Sequence, residues 1–219
     1  MPLDALLAPP ICWGCEGPAR RGEPLCRGCR ASLHRLAPEP VWLSGVRVWA
    51  PVAYSGPARR LVRALKFGRA RGVADAMAAQ IVANGPRELL AGVTLVPVPL
   101  HPRRLRSRGY NQAAAIAEAV ARRAGLEVAD CLARTGPALT QVGRDRVERR
   151  AGPAGEIRVR AGPAQRRPRQ APPSAVPRRV LLVDDVVTTG ATLAACRASL
   201  VASGAVELGA VAFARTLGR

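Results

Sequence analysis

Residues Val180 to Thr192 read VLLVDDVVTTGAT. Val180 to Val183 are all apolar, the pattern of a strand that a parallel sheet buries on both faces. The run ends in two adjacent acids, Asp184 and Asp185. A turn of hydroxyls and glycine, Thr188, Thr189, Gly190, Ala191 and Thr192, then opens a helix. Such a turn at a helix N-terminus aims backbone N–H groups and hydroxyls at one place, which suits a phosphate dianion. Acids at the strand end repel that phosphate; they suit sugar hydroxyls, or waters on a magnesium ion. A phosphate beside acid-bound hydroxyls describes a ribose 5-phosphate. The carboxyl end of a central parallel strand is also where such folds place ligands. No GxxxxGKS or GxxxxGKT sequence occurs, so a nucleoside-triphosphatase loop is unsupported. The plain alternative is a polar turn in an ordinary α/β protein.

Working outward, strands alternate with helices. Ala191 to Ser203 reads as a helix stopped by Gly204, followed by a strand from Val206 to Ala214. Upstream, Val93 to Val98 reads as a buried strand, and Asn111 to Ala124 as a helix stopped by Gly125. Pro57 to Arg71 reads as an amphipathic helix, with Leu61, Val62 and Leu65 on one face and arginines on the other. The alternation predicts an α/β fold with a parallel sheet flanked by helices. Residues 161–179, AGPAQRRPRQAPPSAVPRR, contain no acid and read as an extended connection, either a plain surface loop or an anion-gathering arm.

The chain has 219 residues, enough for one main domain and a small appendage. At 48% hydrophobic it can bury a core, and at 3% aromatic it is too poor in rings to work mainly by stacking bases. No run of eighteen apolar residues occurs, so no membrane span is expected. Met1 to Pro10 carry Asp4 and no basic run, so no export signal is expected and the cytoplasm is the default. The formal net charge is +19, which suits polyanionic partners: nucleic acid or a heavily phosphorylated small molecule. Lys66 is the sole lysine. An arginine-, alanine- and proline-rich composition is also that of a GC-rich coding sequence, which accounts for part of the charge.

Near the N-terminus, Cys12 and Cys15 form one CxxC and Cys26 and Cys29 a second, with 10 residues between the pairs. Two such knuckles complete a tetrahedral thiolate site, and four cysteine ligands leave no open position, so a structural zinc is expected. A redox or disulfide role is the competing reading, less suited to a chain without an export signal. Cys131 and Cys196 stand alone and read as small core residues. The expected division is a four-cysteine zinc-binding module over residues 1–47, like a small zinc ribbon, and an α/β domain over residues 48–219.

Val180 to Thr192 resembles the signature of type I phosphoribosyltransferases, which bind 5-phosphoribosyl 1-diphosphate (PRPP). The whole chain resembles the ComF family, competence-associated proteins with an N-terminal zinc module on a phosphoribosyltransferase-like domain. The likeness rests on the two CxxC pairs, YSGPARRLVRALKFGRA (residues 54–70), VPVPLHPRRLRSRGYNQA (96–113), TQVGRDRVER (140–149) and VLLVDDVVTTGATL (180–193). It departs from the family's pattern after Arg149, where Gly152, Pro153 and Ile157 stand.

The resemblance implies roles. Asp184 and Asp185 hold the ribose hydroxyls and stand as the catalytic pair, and Thr188, Thr189, Gly190, Ala191 and Thr192 anchor the 5-phosphate. The stretch Val98 to Tyr110 corresponds to the loop that holds the diphosphate, with Arg103 and above all Arg108 as ligands; Arg104 and Arg106 lie in the same string. Lys66 sits in the matching KFGR string. Gln141, with Gly143, Arg146 and Arg149, falls in what resembles the mobile loop over the site. Magnesium accompanies PRPP. Two functions follow. One is a competence protein assisting uptake of single-stranded DNA in natural transformation, beside a DNA-translocating helicase. The other is a magnesium-dependent phosphoribosyltransferase of nucleotide salvage acting on an unidentified base. The sequence specifies neither that base nor an oligomeric state.

Overall fold

The structure is a computed structural model and describes residues 10–67, 72–135, 156–160 and 176–218. The expected lid residues Gln141, Gly143, Arg146 and Arg149, and most of the proline- and arginine-rich connection, lie outside these.

From the N-terminal side, helix α1 (Arg27–Ala31) is followed by a hairpin of β1 (Val41–Leu43) and β2 (Val46–Trp49), then β3 (Val52–Ala53). Helices α2 (Gly56–Phe67), α3 (Gly72–Asn84) and α4 (Arg87–Leu90) precede β4 (Thr94–Pro97). Helices α5 (Pro102–Arg108) and α6 (Gln112–Ala124) precede β5 (Glu127–Val128). Strands β6 (Leu132–Arg134) and β7 (Ile157–Val159) pair with each other, and β8 (Arg179–Val187), α7 (Ala191–Ala202) and β9 (Glu207–Arg215) follow.

The central sheet runs β1-β2-β9-β8-β4-β5, with β3 also on β9. Every pairing is parallel except that of β1 with β2. This is a mixed α/β fold with a mostly parallel sheet. The quoted apolar run lies at its centre: Val183 pairs with Pro97 on one side and Val211 on the other. Val180 to Val183 are buried, as a central parallel strand requires. The strand is longer than its apolar run and carries both acids inside the ladder.

On one face, Leu61, Val62 and Leu65 of α2, Met77 and Ile81 of α3 and Ile116 and Val120 of α6 share a core with Leu181 and Val183. On the other, Leu193, Cys196 and Leu200 of α7 and Leu132 of β6 pack on Val180 and Leu182. Helix α2 follows the expected pattern from Gly56 to Phe67, its arginines outward and its aliphatics inward. Asn111 starts α6 by accepting the Ala113 N–H at 3.1 Å while donating to the Val98 carbonyl at 3.0 Å. Gly125 ends that helix at φ 67°, as read from the sequence. Cys196 is a buried core residue, whereas Cys131 is only half-buried.

Candidate functional site

Two sites stand out, a cysteine cluster and a cleft at the carboxyl end of β8. In the first, the Sγ atoms of Cys12, Cys15, Cys26 and Cys29 all lie within 4.8 Å of one another. Cys15 and Cys26 are 3.8 Å apart, too far for a disulfide and close to the separation of about 3.8 Å that tetrahedral zinc with Zn–S of about 2.3 Å imposes. The N–H groups of Gly14 and Cys26 both donate to Cys12 Sγ at 3.2 Å, and that of Cys29 to Cys26 Sγ at 3.5 Å. Burial opposes ionisation of Cys12, but those N–H donors outweigh it and bring the thiol down to about 6. Burial, followed by the neighbouring thiols, pushes Cys29 up to about 12. Four thiols this close resist joint ionisation, and a divalent cation at their centre removes the conflict. A Cβ at Gly14 would lie 2.8 Å from Cys29 Sγ, so the knuckle closes only with glycine there. The donor set fits a metal ion such as zinc, held by all four cysteines.

This segment does not stand apart from the sheet. Cys12, Leu25 and Leu33 belong to the same core as α2, α3 and α6. Ala53 N–H donates to the His34 carbonyl at 2.8 Å, Leu36 N–H to that of Pro51 at 3.0 Å, and the Arg60 guanidinium holds the Gly14 carbonyl.

In the cleft, the two acids meet different neighbours. Asp185 is buried on the α2 side, where Lys66 Nζ meets its Oδ2 at 2.8 Å. Asp184 is half-buried, accepts the Asp185 N–H at 2.8 Å, and lies in the field of Cys196 and Arg134 on the α7 side. Burial, reinforced by the Asp185 charge, pushes its carboxyl up to about 8. Arg108 donates to Gln112 Oε1 at 2.9 Å and stands 5.4 Å from the centre of the Phe67 ring. Burial lowers its pKa, and the Asp185 charge works against that. The Tyr110 hydroxyl donates to the Leu65 carbonyl.

The turn after β8 is braced from outside. Gly190 adopts φ +83°, and a Cβ there would lie 2.9 Å from Leu43 Cβ and 3.0 Å from the Leu43 carbonyl oxygen. Ser44 Oγ, in the β1–β2 turn, donates to the Thr189 carbonyl at 2.8 Å. Thr188, Thr189 and Ala191 are left exposed, and Thr192 half-buried, at the N-terminus of α7.

No family model matches the chain, and no curated protein does either.

Among the expected residues, Lys66 thus pairs with Asp185 and Arg108 lies in the field of that acid, while Thr188 to Thr192 surround the start of α7. Arg103 does not join them: its N–H donates to His101 Nδ1 at 3.2 Å and its side chain is exposed. The stretch expected as a diphosphate loop is helical over Pro102–Arg108, because His101 caps its start and Gly109, at φ 78°, its end. Arg134, on β6, lies in the electrostatic field of Asp184, and nothing in its LAR context signals that. Tyr110 and the buried Gln112 were legible only as letters of the RGYNQ string.

A separate cavity of about 400 Å³ is lined in part by Tyr110, Asn111 and Arg134. Leu100, Leu105 and Ala115 give it apolar walls, and Glu118 and Asp130 an acidic edge. Arg160 faces Asp130 at 3.4 Å, and burial raises the Asp130 carboxyl. No helix among the described residues is long and apolar enough to cross a membrane.

Proposed function

We propose that the cleft binds a phosphoribosyl ligand, PRPP with magnesium, on a type I phosphoribosyltransferase-like domain. The protein then acts as a ComF-like competence protein that assists uptake of single-stranded DNA. One observation carries the ligand reading: a buried acid paired with Lys66 stands at the end of the central strand, just before a braced, hydroxyl-rich turn that opens a helix. The connections after β4 and β8 pack on opposite faces of the sheet, the arrangement that opens a ligand crevice in such folds.

In this reading the N–H groups and hydroxyls of Thr188 to Thr192 bind the 5-phosphate. Asp184 and Asp185 hydrogen-bond the ribose hydroxyls, and the carboxylate of Asp185 favours an electron-poor C1. Lys66 and Arg108 turn toward the diphosphate. Magnesium bound with the diphosphate would neutralise part of that charge. The net charge of +19 supports the nucleic-acid side of the proposal.

The cavity favours a second reading, in which a nitrogen nucleophile occupies it and the protein is a phosphoribosyltransferase of salvage. Diphosphate release that depends on one particular base supports that alternative. The primary test is calorimetric titration of PRPP and magnesium into wild type and an Asp184→Asn, Asp185→Asn variant. Binding by the wild type alone is expected; no binding by folded, zinc-loaded wild type overturns the ligand reading.

A further inference from the structure

Arg59, Arg63 and Phe67 follow one another at intervals of four on α2 and are all exposed. That spacing aligns them on one side of the helix, with about 6 Å of rise between neighbours. The aliphatic side chains of α2 point the other way, into the core. No acid lies in this helix, and no ion pair engages Arg59 or Arg63 among the described residues. Phe67 is 72% exposed, and the Arg108 guanidinium stands beside it. At the other end of α2, Arg60 grips the Gly14 carbonyl next to Trp13, whose ring is also exposed.

We infer that this face of α2 is a track for single-stranded nucleic acid, with phosphates on Arg59 and Arg63 and one base stacked on Phe67 beside Arg108. The inference rests on the nucleic-acid part of the reading above and gives it a surface. The chemistry selects the partner. A bilayer needs an apolar face, and that of α2 is already buried. An acidic peptide uses the arginines and leaves the ring idle, whereas an unstacked base uses both. A duplex hides the base faces that Phe67 would take. Lys66 precedes Phe67 and reaches Asp185, so the track ends one residue from the cleft.

The test is fluorescence anisotropy with labelled oligothymidylate and oligouridylate of about 12 nucleotides, within the footprint of one site, over a series of salt concentrations. An Arg59→Ala, Arg63→Ala variant is expected to flatten the plot of log affinity against log salt by about 1.4, or about 0.7 per lost phosphate contact. Phe67→Leu is expected to weaken binding about tenfold at unchanged slope. Arg122→Ala with Arg123→Ala, which removes equal charge from α6, leaves the slope in place. Circular dichroism confirms that each variant is folded. Tighter binding of either strand supports the track and identifies whether DNA or RNA uses it. Equal slope loss from the α6 pair, or displacement of the oligonucleotide by polyglutamate at matched charge, overturns it. If the wild type binds neither strand, the nucleic-acid reading itself fails. If it binds both and the α2 variants match it, only this surface does.

Discussion

Lys66 Nζ lies 2.8 Å from Asp185 Oδ2, and the two side chains are 23% and 9% exposed. The sole lysine of the chain therefore neutralises an acid at the end of the central strand. Its neighbours attach α2 to the same region: the Leu65 carbonyl accepts from Tyr110, and Phe67 lies against Arg108. Three successive residues at the end of one helix thus fix the α5–α6 corner and β8 together.

Lys66→Met is expected to strand a buried carboxylate and lower stability by about 3 kcal/mol, the low end for breaking a buried pair because Lys66 keeps some solvent contact. Adding Asp185→Asn should recover most of that loss. Urea unfolding of the two single variants and the double variant measures the coupling; additive losses would show that the pair contributes nothing jointly.

Asp184 gives a pH signature. Its folded pKa of about 8 exceeds the unfolded value, about 4 for a carboxyl, so the folded state holds the proton more tightly. Its contribution to stability is complete below about pH 4 and is lost as pH rises toward about 8. The melting temperature of Asp184→Asn relative to wild type should therefore climb across that window and level off above it. A constant difference from about pH 4.5 to about pH 8.5 would place the proton elsewhere.

Gly190→Ala meets two obstacles at once: positive φ, and the Leu43 Cβ and backbone within 3.1 Å. A loss of about 2–4 kcal/mol is expected from strain and overpacking together. PRPP binding should fall with it, since the turn loses its brace on β1. Ser44→Ala, which removes only the hydrogen bond to Thr189, should cost about 1 kcal/mol. Thermal melts and the calorimetric titration read both effects.

Zinc removal should be felt beyond the cysteine segment. Cys12, Leu25 and Leu33 share a core with α2, α3 and α6, so chelation is expected to lower the main unfolding transition rather than to melt residues 1–47 alone. Gly14→Ala, which pushes a methyl onto Cys29 Sγ, should weaken zinc binding at least about tenfold. Metal content after dialysis and scanning calorimetry test both; two separate transitions in wild type would show that the segment folds on its own.

Much of this was legible in local patterns. Val180 to Val183 announced a buried strand because a parallel sheet makes every position apolar. Asn111 and Gly125 marked the ends of α6 because their chemistry acts within a turn. The cysteine pairs announced one cluster because two knuckles can wrap one ion. The β1–β2 hairpin had a readable signal that went unused: Ser44-Gly45, at φ 47° and 76°, is a two-residue hairpin turn between VWL and VRVW. Helix α3 had a weaker one, since alanines and aliphatics surround it and no face stands out.

The amino-acid sequence by itself determined the central strand, helices α2, α6 and α7, the cysteine cluster and the hydroxyl-rich turn beside two acids, because each depends on neighbours a few residues apart. Only the tertiary structure decided that Lys66 meets Asp185, that Leu43 and Ser44 brace the turn at Gly190, and that Tyr110 donates to the Leu65 carbonyl. Those contacts join residues dozens or more positions apart. Which side chain faces which acid depends on how the sheet is ordered and on which face each helix packs, and no local spacing encodes that.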